Sequence, residues 1–296
     1  MLTTICMANL KEIRNRITSI KSTMQITSAM KMVSAAKLKK AQDAITAMRP
    51  YSSKLTELLQ SLSATLDSDA GGVYSTQKEV KNVLLVVITS NRGLCGGFNS
   101  SIVKRTIKAI DEKYSNVAVD LLTIGKKGDD ILSKEHTIIE NRNDIFDDLT
   151  YDNVAQVAQK IMDLYVAGSY QKIELVYNQF KNAATQIPQL EQFLPIEPIE
   201  SVEGEDKKVA LEYLYEPSKE AIVLELIPKS LKTQLYKAIR DSFASEHGAR
   251  MTAMHKATDN ATELRDELLL TYNKARQAAI TNEILEIVGG AEALKN

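Results

Sequence analysis

Tryptophan is absent from this chain of 296 residues, phenylalanine occurs only five times, and aromatic residues make up 5% of the total. Apolar residues nevertheless reach 44%, and Ala, Leu, Ile, Val and Met supply most of them. Such side chains favour the packing of helix against helix over a large β-sandwich. The composition therefore predicts a protein in which helices dominate.

Cysteine and histidine are too few and too scattered to indicate a metal site. Cys6 and Cys95 fit neither a disulfide framework nor a CxxC motif, which favours a reducing compartment. His136, His247 and His255 lack the spacing of metal ligands. We predict no metal, no cofactor and no catalytic residue set.

Long apolar runs are also missing. The longest, near residues 83–89, is far shorter than the roughly 20 residues that cross a bilayer. The first six residues contain no Arg and are too short for a secretory or transit peptide, and Met7 is an alternative start. The sequence thus predicts neither a membrane span nor a leader.

Glycine is unevenly distributed. None precedes Gly71, and only Gly248 occurs between residues 205 and 288. Because glycine and proline interrupt regular structure most strongly, two glycine-poor flanks predict two long helices around a globular centre. We place the three parts at 1–66, 67–217 and 218–296, with the acidic stretch 202–206 as an exposed loop and Ser218 as the cap of the second helix.

The first flank has the spacing of a coiled coil. Its apolar positions recur about every 3.5 residues, the period that keeps one seam facing a partner helix. Pro50 is the point where a kink or break is expected. The predicted seam comprises Leu10, Ile13, Ile17, Ile20, Met24, Thr27, Met30, Ser34, Leu38, Ala41, Ile45, Met48, Tyr51, Leu55, Leu59, Leu62 and Leu66.

The last flank has a less regular seam, in which alanines four apart would allow close approach of a partner helix. Pro228 is a second possible kink. This seam comprises Leu231, Leu235, Ile239, Ala249, Ala253, Ala257, Ala261, Leu264, Leu268, Tyr272, Ala275 and Ala279.

If the two flanks pair, they are antiparallel, and Leu10 lies opposite about residue 276 because both helices rise equally per residue. The end of the last flank then projects beyond its partner helix. An apolar end without a partner in its own chain implies a partner in another chain. The apolar residues of this end are Ile280, Ile284, Leu285, Ile287 and Val288.

Charge follows the same division. Residues 8–66 carry ten Lys or Arg against three acidic residues, whereas the centre is acidic. No interleaved aromatic residues or base-reading motif support nucleic-acid binding. Besides an ordinary solvated face, an acidic protein surface is the better candidate for a complementary partner.

The centre alternates strand-like and helical patterns, which is typical of βαβ units in a Rossmann-like, mostly parallel sheet. Predicted strands cover 83–89, 117–123, 173–177 and 211–215, and predicted helices cover 100–114 and 152–167. The full fold class is therefore an α/β central domain plus a long antiparallel coiled coil of the N- and C-terminal helices.

A glycine loop follows the first predicted strand. Gly93, Gly96 and Gly97 match neither GxGxxG nor GxxxxGK[ST], and no Lys follows them. A structural tight turn is favoured over a phosphate-binding loop, although an α/β enzyme remains a rival hypothesis and predicts nucleotide binding by the isolated chain. A coiled-coil scaffold is the second rival and predicts self-association.

Five segments of the sequence form a recognisable set. They are 11–17 (KEIRNRI), 25–38 (QITSAMKMVSAAKL), 92–99 (RGLCGGFN), 244–254 (ASEHGARMTAM) and 272–281 (YNKARQAAIT). These segments resemble the γ subunit of bacterial F-type ATP synthases. They occur in the order expected for that family and span nearly the whole chain from Met7.

The resemblance implies a non-catalytic rotary shaft inside a ring of three α and three β subunits. The central domain would contact the ε subunit and the membrane c-ring, with a δ subunit in the same complex, on the cytoplasmic side of a bacterial inner membrane. Proton flow would turn the shaft and drive the β sites through their nucleotide affinities. The resemblance assigns ring contacts to Met30, Lys31, Arg250, Arg276, Gln277, Thr281 and Glu286. The apolar end would sit in a bearing of the ring.

Overall fold

The computed structural model describes residues 2–63, 72–75, 79–196 and 219–293. The strand predicted at 211–215, the loop at 202–206, the capping residue Ser218 and the last seam position Leu66 lie outside these residues. Within them, no helix has a stretch long and apolar enough to cross a bilayer.

Two helices are much longer than the rest, as the glycine distribution predicts. Helix α1 covers Leu2–Ser63 and helix α5 covers Lys219–Ala293. Pro50 and Pro228 lie inside them without ending them. The chain divides into two compact units: a coil unit of residues 1–34 with 251–296, and a sheet unit of residues 35–250.

In the coil unit, the predicted seam of α1 faces inward. Ile13, Ile17, Thr27 and Ser34 are buried. The seam's two polar members keep their hydroxyls bonded, because Ser34 Oγ donates to the Met30 carbonyl at 2.7 Å and Thr27 Oγ1 lies 2.8 Å from Thr258 Oγ1. The Ser34 bond lies within α1, whereas the Thr27–Thr258 bond joins α1 to α5 across the seam.

The register between α1 and α5 agrees with the sequence prediction. Arg14 Nη2 donates to the Tyr272 hydroxyl at 2.6 Å, and the guanidinium carbon lies 5.6 Å from the ring centre. That hydrogen bond raises the pKa of Arg14 above its ordinary value. Since residue 14 faces residue 272, Leu10 is opposite about residue 276, as predicted for an antiparallel pair.

Among the seam positions whose burial the structure describes, two predictions are wrong. Leu264 is 47% exposed, and its neighbour Arg265 is half-buried with Nη1 at 4.0 Å from Met24 Sδ. The long stem of Arg265 covers the seam while its head pairs with Asp266. Tyr51, in the sheet unit, is 56% exposed because the buried face of α1 passes from Ile45 to Leu55 without it.

The described residues of the sheet unit form five strands in the order β3-β2-β1-β4-β5, and among these only β5 is antiparallel to its neighbour. This confirms the mostly parallel α/β prediction. The strands are β1 Asn82–Ile88, β2 Ala118–Ile124, β3 Ile138–Asn141, β4 Lys172–Phe180 and β5 Gln186–Leu194. The shorter helices are α2 Phe98–Lys113, α3 Lys126–Leu132 and α4 Tyr151–Val166, and short 3-10 turns cover Gly72–Tyr74 and Asn143–Phe146.

Helices cover both faces of the sheet. Successive residues of β1 point to opposite faces, so Val83, Leu85 and Val87 pack under α2 and α3. Leu84, Val86 and Ile88 pack instead against α4 and the 227–239 stretch of α5. Burial on both faces explains why β1 is a continuous apolar run rather than an alternating one.

Candidate partner-binding site

The last turns of α5 expose an apolar surface. Every residue from 280 to 291 is exposed. The exposed fractions of the five apolar members lie between 48% and 66%, and these are Ile280, Ile284, Leu285, Ile287 and Val288. Apolar side chains grouped in this way on a helix mark an interaction surface. We refer to residues 280–291 as the helix end.

The predicted contact residues lie in separate places. Arg276, Gln277, Thr281 and Glu286 are all exposed on the helix end or the turn before it. Thr281 Oγ1 donates to the Gln277 carbonyl at 2.9 Å, so this hydroxyl is used within the helix.

Met30 and Lys31 are half-buried on α1. In the observed register Arg276 faces about residue 10 of α1. Met30 lies about 30 Å further along that helix at 1.5 Å per residue. The two groups therefore do not form one patch.

The glycine loop, residues 92–97, is held in one conformation from within. Leu94 has φ 63° and Gly96 has φ 59°, both in the left-handed region. The Asn99 carboxamide oxygen accepts from the Ser90 backbone N–H at 3.0 Å, and Ser90 Oγ donates to the Arg92 carbonyl at 2.7 Å. A left-handed Leu persists only where its surroundings determine it. The loop is therefore a rigid turn.

Arg250 of α5 binds this loop from the other side. Its guanidinium donates to the carbonyl oxygens of Gly93 and Arg92 and pairs with Glu246 at 2.6 Å. Burial raises the pKa of Glu246, and Arg250 opposes this shift. Because Arg250 is 7% exposed, it has little surface left for another chain. Its predicted ring contact stays a prediction.

The crevice that accepts ligands in doubly wound folds is occupied here by α5. That crevice lies at the carboxyl ends of the strands where the chain reverses direction across the sheet, between β1 and β4. Ser245 Oγ donates to the Asn178 carbonyl at 3.0 Å, and Gly248 lies against Ala183. A nucleotide would have to displace the chain's own helix. The geometry therefore opposes the rival nucleotide-binding interpretation of the glycine loop.

Comparisons with known proteins agree with this architecture. Residues 9–294 match a family model described as ATP synthase. The chain is 72% identical to the ATP synthase gamma chain of Flavobacterium psychrophilum, over 98% of this chain and 100% of the relative. It belongs to the ATP synthase gamma chain family. A gamma chain from a Geobacter species is 47% identical over 98% of this chain and 100% of its own length.

Solved structures of ATP synthase rotors share the fold of this gamma chain family member. The rotor of the Euglena gracilis mitochondrial ATP synthase matches with a TM-score of 0.67 at 23% identity, over 92% of this chain and 99% of that one. A Tetrahymena thermophila structure described as central stalk and c-ring matches with a TM-score of 0.57 at 26% identity, over 78% and 99%. The prediction of family and fold is confirmed.

Sequence reasoning missed several buried polar residues of the gamma chain. Glu246 and Arg250 are four apart on one helix face, which is the spacing of a helical ion pair. That spacing was a usable signal for the pair. No local signal in the sequence indicates the role of Asn178, because its amide donates at 3.0 Å to the carbonyl of Phe98, which lies eighty residues away in sequence.

His247 is the most unusual of these residues. It is 5% exposed, and neither ring nitrogen has a hydrogen-bond partner. Its ring meets Phe243 edge-on with centroids 4.5 Å apart. Burial, with smaller effects from Lys37 and Arg250, lowers the pKa of His247 to about 4. It is thus a neutral packing residue at physiological pH.

This lowered pKa predicts a loss of stability in acid. Between pH 6.5 and about 4 the unfolded chain binds a proton at His247 that the folded chain does not. The free energy of unfolding therefore falls through that window, by about 3 kcal/mol in full. Urea titrations at a series of pH values measure it.

A comparison of two histidine variants with the parent chain isolates the contribution of His247 to the pH dependence of stability. The raised pKa of Glu246 acts in the opposite direction, so the informative quantity is the difference between His247→Phe and the parent chain. We expect His247→Phe to flatten the acid loss and His255→Gln, at an exposed histidine, to leave it unchanged. Equal pH dependence in His247→Phe and the parent would refute the assignment.

Proposed function

We propose that this chain is the central rotary shaft of a bacterial F-type ATP synthase, a non-catalytic subunit. It couples ion flow through the membrane c-ring to the conformational cycle of the catalytic β subunits. The exposed apolar helix end carries this proposal, because within the described residues nothing in the chain covers it. Membership of the gamma chain family supports a partner within an ATP synthase complex.

The proposed partners are those that the family resemblance implies. Three α and three β subunits would surround the coil unit, with Arg276 and Gln277 gripped by a β loop and Thr281 and Glu286 nearby. Met30 and Lys31 would add contacts along α1. The sheet unit would contact the ε subunit and the c-ring, in a complex that also holds δ, at the cytoplasmic side of the inner membrane. The coupling ion in this proposal is the proton.

The physical mechanism is a shift of populations. A β subunit has several conformations that differ in nucleotide affinity, and each is favoured by the face of the shaft that it meets. A shaft with the same surface all around would favour none of them. The two helices of the coil unit present different side chains, so rotation would change the conformation that each β subunit prefers.

Reconstitution tests the proposal against both rivals. The chain is mixed with cognate α and β subunits, and stoichiometry and ATPase activity are measured. We expect one copy in a complex with three α and three β subunits, and a strong rise in turnover. Nucleotide binding by the isolated chain would favour an enzyme, self-association would favour a scaffold, and failure to join α and β would reject the shaft.

Removal of residues 287–296 is expected to weaken rotation without abolishing it. The deleted side chains of residues 287–291 are exposed, so the isolated chain should unfold at an unchanged temperature. Arg276 and Gln277 remain for the β subunits to grip. Rotation in single-molecule assays and the melting temperature are measured together.

A shorter deletion of residues 294–296 serves as the control and should match the parent. Complete loss of assembly in the longer deletion would contradict the placement of the grip at Arg276 and Gln277.

A further inference from the structure

One stretch of α5 is enclosed on nearly all sides by the sheet unit. Every residue from 244 to 250 is buried, and several of them are polar or charged. A helix packed only for stability would present apolar residues on one side. Here polar side chains and backbone atoms fix the helix at the carboxyl ends of β1 and β4.

The first fixed point is a hydrogen-bonded bridge. Ser245 Oγ donates to the Asn178 carbonyl at 3.0 Å, and the Asn178 amide donates to the Phe98 carbonyl at 3.0 Å. One residue of β4 therefore ties α5 to the start of α2. All three groups are shielded from water, so the bonds are not replaced readily by solvent.

The second fixed point is direct backbone contact. A Cβ atom on Gly248 would lie 3.1 Å from Ala183 Cα and 3.2 Å from its carbonyl oxygen. The turn that carries Ala183 is itself held, because the Asn182 carboxamide oxygen accepts from the N–H groups of Ala184 and Thr185 at 3.0 and 2.7 Å. We call Asn178, Ala183, Ser245 and Gly248 the seat.

The third fixed point is on another side of the helix. At 3.6 residues per turn, Glu246 and Arg250 point about 150° away from Ser245 and Gly248. Arg250 holds the glycine loop there, as described above. The helix is thus fixed on two sides that face away from each other, which resists both rolling about its axis and sliding along it.

We infer that the seat is the joint through which torque passes between the sheet and α5. This inference rests on the proposed function, since torque matters only in a rotor. Apolar ridges resist separation but slide past one another at lower cost than hydrogen bonds and interlocked backbone do. The seat resists rolling and sliding of α5 against the sheet. Ser245 and Gly248 act as positioning residues for the whole helix.

The experiment measures angular stiffness in the assembled complex. The α and β ring is fixed to a surface, and a bead is attached to the sheet unit through Asp111→Cys on α2. The variance of the bead angle is recorded during catalytic pauses. Ser245→Ala removes one bond of the seat, Gly248→Ala forces the two backbones apart, and Ser245→Thr restores the hydroxyl.

A matched control removes a similar hydroxyl elsewhere. Ser133 directly follows α3, and its Oγ donates to the Asp129 carbonyl of that helix without joining two elements. Ser133→Ala should therefore leave the variance unchanged. We expect the variance roughly to double in Ser245→Ala, to rise further in Gly248→Ala and to recover in Ser245→Thr, because packed interiors transmit strain.

The outcomes separate the inference from the proposed function. If the parent complex shows no rotation, the shaft proposal fails. If the parent rotates and the seat variants keep its angular variance, the torque joint is rejected. Should Gly248→Ala fail to assemble, the comparison of Ser245→Ala with Ser133→Ala still decides, because each removes a single hydroxyl.

Discussion

Arg250→Ala is expected to lower the free energy of unfolding by about 3–5 kcal/mol, the usual cost of leaving one member of a buried ion pair alone. The substitution removes the donors that satisfy the Gly93 and Arg92 carbonyls. It also leaves the carboxylate of Glu246, which is 8% exposed, without its partner. Urea unfolding of the isolated chain at neutral pH measures the loss.

Two comparisons test the cause. Replacing both members, as Arg250→Met with Glu246→Leu, should cost less than Arg250→Ala because no buried charge is left over. Lys108→Ala, which breaks an exposed pair with Glu112 on α2, should cost below about 1 kcal/mol. A loss in Arg250→Ala no greater than in Lys108→Ala would mean that Arg250 does not hold the loop.

Gly125→Ala is expected to cost about 4 kcal/mol or more, which is exceptional for one methyl group. Gly125 follows β2 with φ 112°, and an added Cβ would lie 2.2 Å from the Thr89 carbonyl oxygen. Gly125 and Thr89 directly follow the paired parallel strands β2 and β1. Neither backbone segment can move away without disturbing the sheet. Thermal and urea unfolding should both report the loss.

Gly168→Ala is the matched control. Gly168 has φ 79°, but an added Cβ would meet no atom within 4 Å. It should therefore show only the cost of a left-handed backbone, about 1–2 kcal/mol. Similar losses at the two glycines would show that backbone strain, rather than the collision with Thr89, limits position 125.

The sequence was most informative where burial repeats with a fixed period. The apolar spacing of α1 identified Ile13, Ile17, Leu38, Ala41 and Ile45 as inward-facing, and all five are buried. The run of β1 and the patterns of β2, β4, α2 and α4 were also found within a few residues of their bounds. Periodic burial is a local property, so one segment reveals it without knowledge of its neighbours.

Elements without such a period were missed. Strand β5 carries three glutamines, a proline and a glutamate, as suits an edge strand that pairs with a neighbouring strand on one side, here β4. Strand β3 has four residues, and α3 has seven with a glycine inside. Their structure depends on contacts with the rest of the sheet, and the sequence of one short segment does not reveal those contacts.

One part of the candidate site was likewise predictable from the sequence, and another part was not. The exposed helix end was predictable, because an apolar helix that outruns its partner helix can be recognised from length alone. The burial of Arg250 was not, since a charged residue near a glycine loop gives no sign of which carbonyls it will bind. The replacement of Leu264 by Arg265 in the seam depends likewise on Met24, which lies far away in sequence.

The occupation of the sheet crevice by α5 has a consequence for the sensing of nucleotides by this chain. In many α/β proteins that crevice lets the cellular supply of a nucleotide alter the protein directly. Here it is closed by the same covalent chain, at a local concentration no dissolved molecule can match. At this position, ATP or ADP could act on the chain directly only by displacing α5.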